Sequence, residues 1–341
     1  MSRRRAAALA LALVWFAVVP AGCARGHAAG GTVRIGMVTD TGGLGDRSFN
    51  DSAYAGLMRA KRELHVDTVA LQSRSAADYQ VNLTVLANKE YDEIFAIGFL
   101  MAKDVAEVSE RYPKRHFSII DSVVDEPNVT SVTFKEEQGS FLAGALAAMT
   151  TKTKTIAFLG GIDIPLLRKF EAGYAAGARQ VDPNVKVIAK YIGSFDDVAS
   201  GKELAGVQFD QGADIIYVAA GKGGLGAIDQ VKSRPNAYLI GVDADQDGIV
   251  PGKILTSMVK RVDIGVFRVC QDAAAHKPRP VHLTLGLKEG GVGLTDFRYT
   301  RNIVTPPKIA ALAKLRAAII AGKIVVPSTR EELASFKPVP L

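Results

Sequence analysis

Short runs of β-branched and apolar residues recur along the chain, separated by Ala- and Lys-rich stretches of helical spacing. The predicted strands are residues 33–39, 66–71, 92–97, 117–121 and 129–133; a helical stretch from Glu136 to Met149 follows, and the series resumes at 155–159, 185–191, 214–219, 238–243 and 254–259. Mostly apolar strands alternating with helices imply parallel sheets covered on both faces, so the fold class is α/β. Ten strands would make a wide single sheet, and the resumption near residue 155 reads as a second copy of the first pattern. The stretch FNDSAYAG (Phe49–Gly56) is echoed weakly by FEAGYAAG (Phe170–Gly177). Two similar α/β lobes are therefore predicted. The Ala-rich helix expected over 308–321, between Pro306-Pro307 and Pro327, packs on these lobes and forms no third domain.

The N-terminus has a different pattern. Arg3, Arg4 and Arg5 precede an apolar run from Ala6 to Val19 that ends at Pro20-Ala21-Gly22-Cys23. This order reads as a secretory signal peptide over residues 1–22, and the run is short of the ~20 residues a spanning helix needs. Cys23, directly after Ala21-Gly22, looks like the acceptor cysteine of a bacterial lipobox, with Pro20 where that pattern normally has Leu. Lipidation there would make residues 23–32 a tether and place the protein at the extracytoplasmic face of the cell membrane. The alternative is soluble secretion with cleavage near Gly26-His27-Ala28.

Only one other cysteine exists, Cys270, so the exported domain has no internal disulfide partner and must be held by its core. A chain of 341 residues with 48% apolar composition meets that requirement and favours two domains. The net charge of +7 raises the question of nucleic acid, but three of those charges are Arg3–Arg5, which leaves +4 on residues 23–341. The remaining Lys and Arg are dispersed among acids, so no nucleic-acid partner is expected.

In open α/β sheets ligands bind beyond the carboxyl ends of the strands. The first strand is followed by Thr39-Asp40-Thr41-Gly42-Gly43-Leu44-Gly45-Asp46-Arg47-Ser48-Phe49-Asn50. Ser48 or Asn50 is placed to cap the next helix, and Phe49 sets a large ring at the loop-to-helix junction where a flat ligand can stack. After the strand ending near Val218, Gly221-Lys222-Gly223-Gly224-Leu225-Gly226 matches the G-x-G-x-x-G dinucleotide fingerprint, with Asp243 at the end of the next strand. A dehydrogenase using NAD is one reading of that loop. Against it, the match lies deep in the chain, and an exported protein rarely meets that cofactor; the same glycines would also let backbone N–H groups approach a sugar. Asp243-Ala244-Asp245-Gln246-Asp247-Gly248 begins like a calcium loop, but its twelfth position is Ile254, not Glu. Asp243 is therefore expected to face a cleft, with Asp245 and Asp247 solvated. The pair Asp196-Asp197 reads as turn chemistry. The histidines (His27, His65, His116, His276 and His282) lack metal-ligand spacing and are expected at the surface or in satisfied packing. No catalytic residue, metal or cofactor is expected.

The opening motif Val38–Asn50 resembles the signature of the basic membrane protein (PnrA-like) family of ABC-transporter substrate-binding lipoproteins. The resemblance continues through Asp78-Tyr79, Gly98-Phe99, Ile120-Asp121-Ser122, Gly139–Gly144, Gly160-Gly161, Gly193-Ser194-Phe195, Ala220-Gly221, Gly241–Gln246 and Ser257–Asp263. It implies a type I periplasmic-binding fold of two Rossmann-like lobes joined by three crossovers. Residues 33–133 and 261–283 would form the N-terminal lobe, 134–260 and 284–330 the C-terminal lobe, and 331–341 a tail. The implied ligand is a purine nucleoside of the guanosine, adenosine or inosine class. Phe49 and Phe195 would sandwich the base; Asp40, Asn50 and Asp121 would bond its polar edge or nearby ribose atoms; Asp243, Lys260 and the Gly221 backbone would hold ribose hydroxyls. The implied partners are ABC permease and ATPase subunits and, through the lipid, the membrane; the protein itself would be a monomer. A surface signalling or adhesion protein on the same fold is the remaining alternative.

Overall fold

The computed structural model describes residues 32–340. The signal peptide expected over residues 1–22, Cys23 and His27 lie outside the described residues. In chain order the first half runs β1 (Arg34–Thr39), α1 (Phe49–Leu64), β2 (Asp67–Gln72), α2 (Ala77–Asn88), β3 (Glu93–Ile97), α3 (Ala102–Arg111), β4 (His116–Ile120), β5 (Val129–Phe134) and α4 (Glu136–Thr150). The second runs β6 (Thr155–Gly160), α5 (Pro165–Val181), β7 (Lys186–Tyr191), α6 (Val198–Asp210), β8 (Ile215–Ala219), α7 (Gly224–Val231), β9 (Tyr238–Asp243), β10 (Ile254–Lys260), α8 (Val262–Ala274), β11 (His282–Leu285), β12 (Val292–Leu294), α9 (Pro306–Ile320) and α10 (Arg330–Ser335).

Two six-stranded sheets result, ordered β2-β1-β3-β4-β5-β11 and β7-β6-β8-β9-β10-β12. The first five strands of each order are the same once the second set is shifted by five, which is the duplication read from the hydrophobic pattern. The central strands β1, β3, β6 and β8 are buried nearly throughout, as strands covered on both faces must be. At the edges, β2 (DTVALQ) and β7 (KVIAKY) carry polar residues toward their ends and are only partly buried. All strand pairs are parallel except β10 with β12, which is antiparallel. Neither β11 nor β12 is signalled in the sequence: four residues (HLTL) and three (VGL) are too short to show a period.

The chain crosses between the sheets at Lys135, at Arg261 and over residues 286–291. Helices α4 and α8, which follow the first two crossings, lie on α5 and α1 respectively. The weak echo between Phe49–Gly56 and Phe170–Gly177 has its physical origin in this arrangement. A Cβ on Gly56 would stand 2.5 Å from the Asp263 carbonyl oxygen of α8, and one on Gly177 would stand 1.9 Å from that of Phe141 in α4. In each lobe the first helix meets its crossing helix too closely for any side chain. The chain end folds back on the second lobe, with Leu333 buried and Phe336 edge-on to Phe141, ring centroids 6.1 Å apart. The fold is the type I periplasmic-binding arrangement, with two Rossmann-like lobes and a hinge of three crossovers.

Candidate functional site

The carboxyl ends of both sheets face each other, and the residues just beyond them line one cleft between the lobes. Asp40 follows β1, Phe99 follows β3 and Asp121 follows β4; from the opposite lobe come Phe195 beyond β7, Gly221 beyond β8, Asp243 at the end of β9 and Lys260 at the end of β10. All eight ligand-contact candidates from the sequence, Asp40, Phe49, Asn50, Asp121, Phe195, Gly221, Asp243 and Lys260, line this cleft. Asp46, Phe99, Phe170, Leu166 and Leu167 join them without having been singled out. Phe170 was discoverable, because the internal echo aligns it with Phe49.

The loop after β1 is organised by a carboxylate. Asp46 accepts from the backbone N–H of Ser48 (2.9 Å), Asn50 (2.8 Å) and Asp51 (3.1 Å), so it satisfies the open N–H groups at the start of α1. This corrects the expected cap. Ser48 occupies the N-cap position but makes no side-chain cap bond, and Asn50 lies inside the helix. The Ser48 hydroxyl instead crosses the cleft and donates to Asp243 Oδ2 at 2.6 Å. Asn50 donates its amide protons to Asp40 Oδ1 (2.8 Å) and Asp46 Oδ2 (3.2 Å), and its own Oδ1 has no partner in the protein.

Lys260 is the only lysine or arginine among the described residues that is buried at the cleft. It donates to Asp121 Oδ2 of the other lobe, and its Nζ lies 3.9 Å from Asp243 Oδ1. The rings of Phe49, Phe134 and Phe170 surround the same ammonium, with centroids at 4.7, 5.5 and 5.6 Å, within cation–π range. Burial alone would push its pKa down, but Asp121, Asp243 and Glu136 together hold it above the ordinary lysine range. The carboxylates are also raised, in their case by burial. Burial raises Asp40 to about 6 against the opposing hydrogen bond from Asn50, and raises Asp243 to about 6 against the opposing charge of Lys260. Glu136, buried at the first crossing, is raised to about 7 by burial.

Chemically the cleft is rich in acceptors. Asn50 Oδ1 and Asp121 Oδ1 are buried without a protein partner. Such atoms are costly unless a bound solute donates to them. Four phenylalanines, Phe49, Phe99, Phe170 and Phe195, supply flat apolar surface, with Phe99 and Phe195 meeting edge-to-face across the cleft at 6.1 Å.

The two decoy motifs have structural explanations. A Cβ on Gly226 would lie 2.1 Å from the Val198 carbonyl oxygen of α6, and one on Gly224 would lie 2.9 Å from Val218 Cγ1. The Gly223 N–H, which a pyrophosphate would need, donates to the Phe195 carbonyl at 2.9 Å. The glycines thus let α6 and α7 pack closely. In the DADQDG segment, Asp245 is exposed, but Asp247 is buried rather than solvated; its oxygens accept from Ser257 Oγ (2.7 Å) and Thr295 Oγ1 (2.5 Å). A third departure concerns His116, which is half-buried with Nδ1 unpartnered and 3.9 Å from Glu93 Oε2. Asp197 caps α6 through Ser200 N at 3.0 Å, a turn role. Among the described residues no group of three or more His, Cys, Asp or Glu is placed to hold a metal ion, and no helix is long and apolar enough to cross a membrane.

Known proteins resemble this chain along nearly its whole length. The ABC transporter nucleoside-binding protein BmpA of Lactococcus lactis subsp. cremoris is 36% identical, over 96% of this chain and 100% of its own length. An uncharacterized lipoprotein of Pyrococcus horikoshii is also 36% identical, over 79% of this chain and 70% of its own. A crystal structure of an ABC transporter solute-binding protein from Aeropyrum pernix K1 superposes with a TM-score of 0.79 at 30% identity, covering 89% of this chain and 96% of that one. The family described as ABC transporter substrate-binding protein, PnrA-like, matches residues 33–330, nearly all of the described chain. With two lobes closing on a polar, aromatic-lined cleft, this chain belongs to the PnrA-like family of ABC transporter substrate-binding proteins.

Proposed function

We propose that the cleft captures a purine nucleoside for import and that the protein catalyses no reaction on it. The observation carrying this reading is the pairing of Phe49 and Phe195, which line one cleft from opposite lobes, with the unpartnered acceptors Asn50 Oδ1 and Asp121 Oδ1 beside them. A base between two rings gains about 1–3 kcal/mol per stack. Its N–H groups and the ribose hydroxyls are the donors those oxygens lack. Asp40, Asn50 and Asp121 serve the base edge or nearby ribose atoms, while Asp243, Lys260 and the Gly221 backbone serve the sugar. The cleft lining holds four carboxylates, Asp40, Asp46, Asp121 and Asp243, against one buried ammonium, Lys260, so a phosphate group would be repelled. The cargo is thus a nucleoside and not a nucleotide. The name of the Lactococcus relative supports the cargo class.

The delivery apparatus follows from the family. Lipid on Cys23 would hold the protein, a monomer, at the extracytoplasmic face of the membrane, where closed lobes would present cargo to ABC permease and ATPase subunits. The name of the Pyrococcus relative supports the tether. The test is a thermal-shift and calorimetric panel of nucleosides, their 5′-phosphates, free bases, sugars and flavins on the purified exported chain. Guanosine, inosine or adenosine should raise the melting temperature and their phosphates should not; a flavin or sugar as the sole stabilising solute would replace the reading.

A further inference from the structure

The segment Gly241-Val242-Asp243-Ala244-Asp245-Gln246 contributes only Val242 and Asp243 to the cleft lining, yet its last residue is 5% exposed and makes three hydrogen bonds through its backbone N–H and side-chain amide. Gln246 N donates to Ser257 Oγ at 3.0 Å, and its side-chain Oε1 accepts from Val242 N at 3.1 Å. Both bonds lie within the second lobe. The third does not: Gln246 Nε2 donates to the backbone carbonyl oxygen of Arg47 in the first lobe at 3.0 Å.

Each end of that bond is held rigidly. On one side, a Cβ on Gly241 would stand 2.5 Å from Gln246 Oε1 and 2.8 Å from Ser257 Oγ, so only glycine leaves room for the side chain to lie along β9. Ser257 is anchored in turn by donating to the buried Asp247, which also accepts from Thr295. On the other side, Arg47 has φ of 52°, an uncommon conformation for a residue with a side chain. Its N–H donates to Asp51 Oδ2 at 2.9 Å, while the N–H of Ser48 donates to Asp46. A rigid donor thus meets a rigid acceptor across the mouth, one residue along the chain from the Ser48–Asp243 contact. Pre-organised partners lose little entropy when they meet, so the bond favours the closed arrangement directly.

We propose that Gln246 is a closure latch, a positioning residue that stabilises the closed arrangement of the lobes without itself lining the cargo cleft. The proposal rests on the two-lobed family assignment and not on the identity of the cargo. Gln246→Glu isolates it, because the carboxylate keeps the acceptor for Val242 N–H but turns an oxygen toward the Arg47 carbonyl. Gln246→Met removes the donor without adding charge, together with the acceptor for Val242 N–H, a bond that lies within the second lobe. The readout is the distance between lobes by electron–electron double resonance, in the full exported chain with no solute added. Spin labels go on Val81→Cys and Val325→Cys, which are 59% and 81% exposed and lie one in each lobe, with Cys23→Ser in all chains and Cys270 shielded in the core. The open-to-closed ratio should rise about fivefold in Gln246→Met, the loss of the one net hydrogen bond that joins the lobes, and further in Gln246→Glu. A merely structural role would change the melting temperature and leave that ratio alone. Distance distributions identical to that of the parent chain in both variants would overturn the latch.

Discussion

Asp121 and Asp243 occupy equivalent places in the two lobes. Each ends the fourth strand of its sheet in order along the chain, each has a left-handed backbone (φ of 66° and 62°), and both face the ammonium of Lys260. Backbone strain of this kind, about 1–3 kcal/mol per residue, persists where the surroundings over-determine it, and here it turns one carboxylate from each lobe onto a shared cation. The duplicated fold has thus produced a nearly symmetric clasp about a lysine that belongs to only one of the halves.

Replacing that cation tests the clasp. Lys260→Met leaves Asp121 and Asp243 buried without a countercharge, and breaking a buried pair in this way costs about 3–5 kcal/mol. Urea unfolding at pH 7 should show that loss. The deficit should shrink below pH 5, where Asp243 binds a proton in either chain. An equal deficit at both pH values would mean that packing, not charge, holds the site.

Asp40 governs a pH dependence of the opposite sense from ordinary surface carboxylates. Its folded pKa of about 6 exceeds the ordinary 3.8, so the folded state binds the proton more tightly than the unfolded chain. Its contribution is complete below pH about 4 and is lost as pH rises through 6. Asp40→Asn should therefore stabilise the protein at pH 7 by up to ~3 kcal/mol, leave it unchanged at pH 4, and weaken nucleoside binding at both. Unfolding free energies across that range provide the check.

A second buried pair lies at the opposite ends of the strands. Glu93 opens β3, is fully buried, accepts from Ser118 Oγ at 2.7 Å and has Arg279 Nε at 2.7 Å. Arg279→Met should cost about 3–5 kcal/mol in stability by the same logic. Because the pair is remote from the cleft, nucleoside affinity measured on the folded protein should be unchanged.

Gly177 tests the duplicated packing. Gly177→Ala would place a methyl 1.9 Å from the Phe141 carbonyl oxygen and force α4 and α5 apart. Overpacking of this kind typically costs about 1–3 kcal/mol, and a backbone contact has less room to yield than a side chain. The melting temperature should fall, and a smaller fall should follow Gly56→Ala, where the matching contact in the other lobe is 2.5 Å.

Where sequence reasoning succeeded, the signal was local and repeated. The central strands could be read because burial on both faces leaves uninterrupted apolar runs, and the cleft could be located because such sheets place ligands beyond the strand ends. Phe49 stood out as an aromatic ring where a loop residue was expected. What escaped was set by partners distant in the chain. Ser48 has the chemistry of a cap, but Asp243, 195 positions away, takes its hydroxyl and leaves capping to Asp46. Asp247 looks like a solvated loop acid until Ser257 and Thr295 enclose it. Phe170 escaped because a helical phenylalanine is ordinarily core, and only its alignment with Phe49 separates it from the rest. Strands β11 and β12 are defined by their neighbours and carry no period of their own.

The central claim is that one cleft closes on a nucleoside through rings from both lobes, and isothermal titration of guanosine, inosine and adenosine into the exported chain tests it most directly. Saturable 1:1 binding of at least one is predicted, weakened by about 1–3 kcal/mol in Phe49→Ala and again in Phe195→Ala, with no binding of the corresponding 5′-phosphate. Binding that survives both substitutions unchanged, or a nucleotide bound as tightly as its nucleoside, would contradict it.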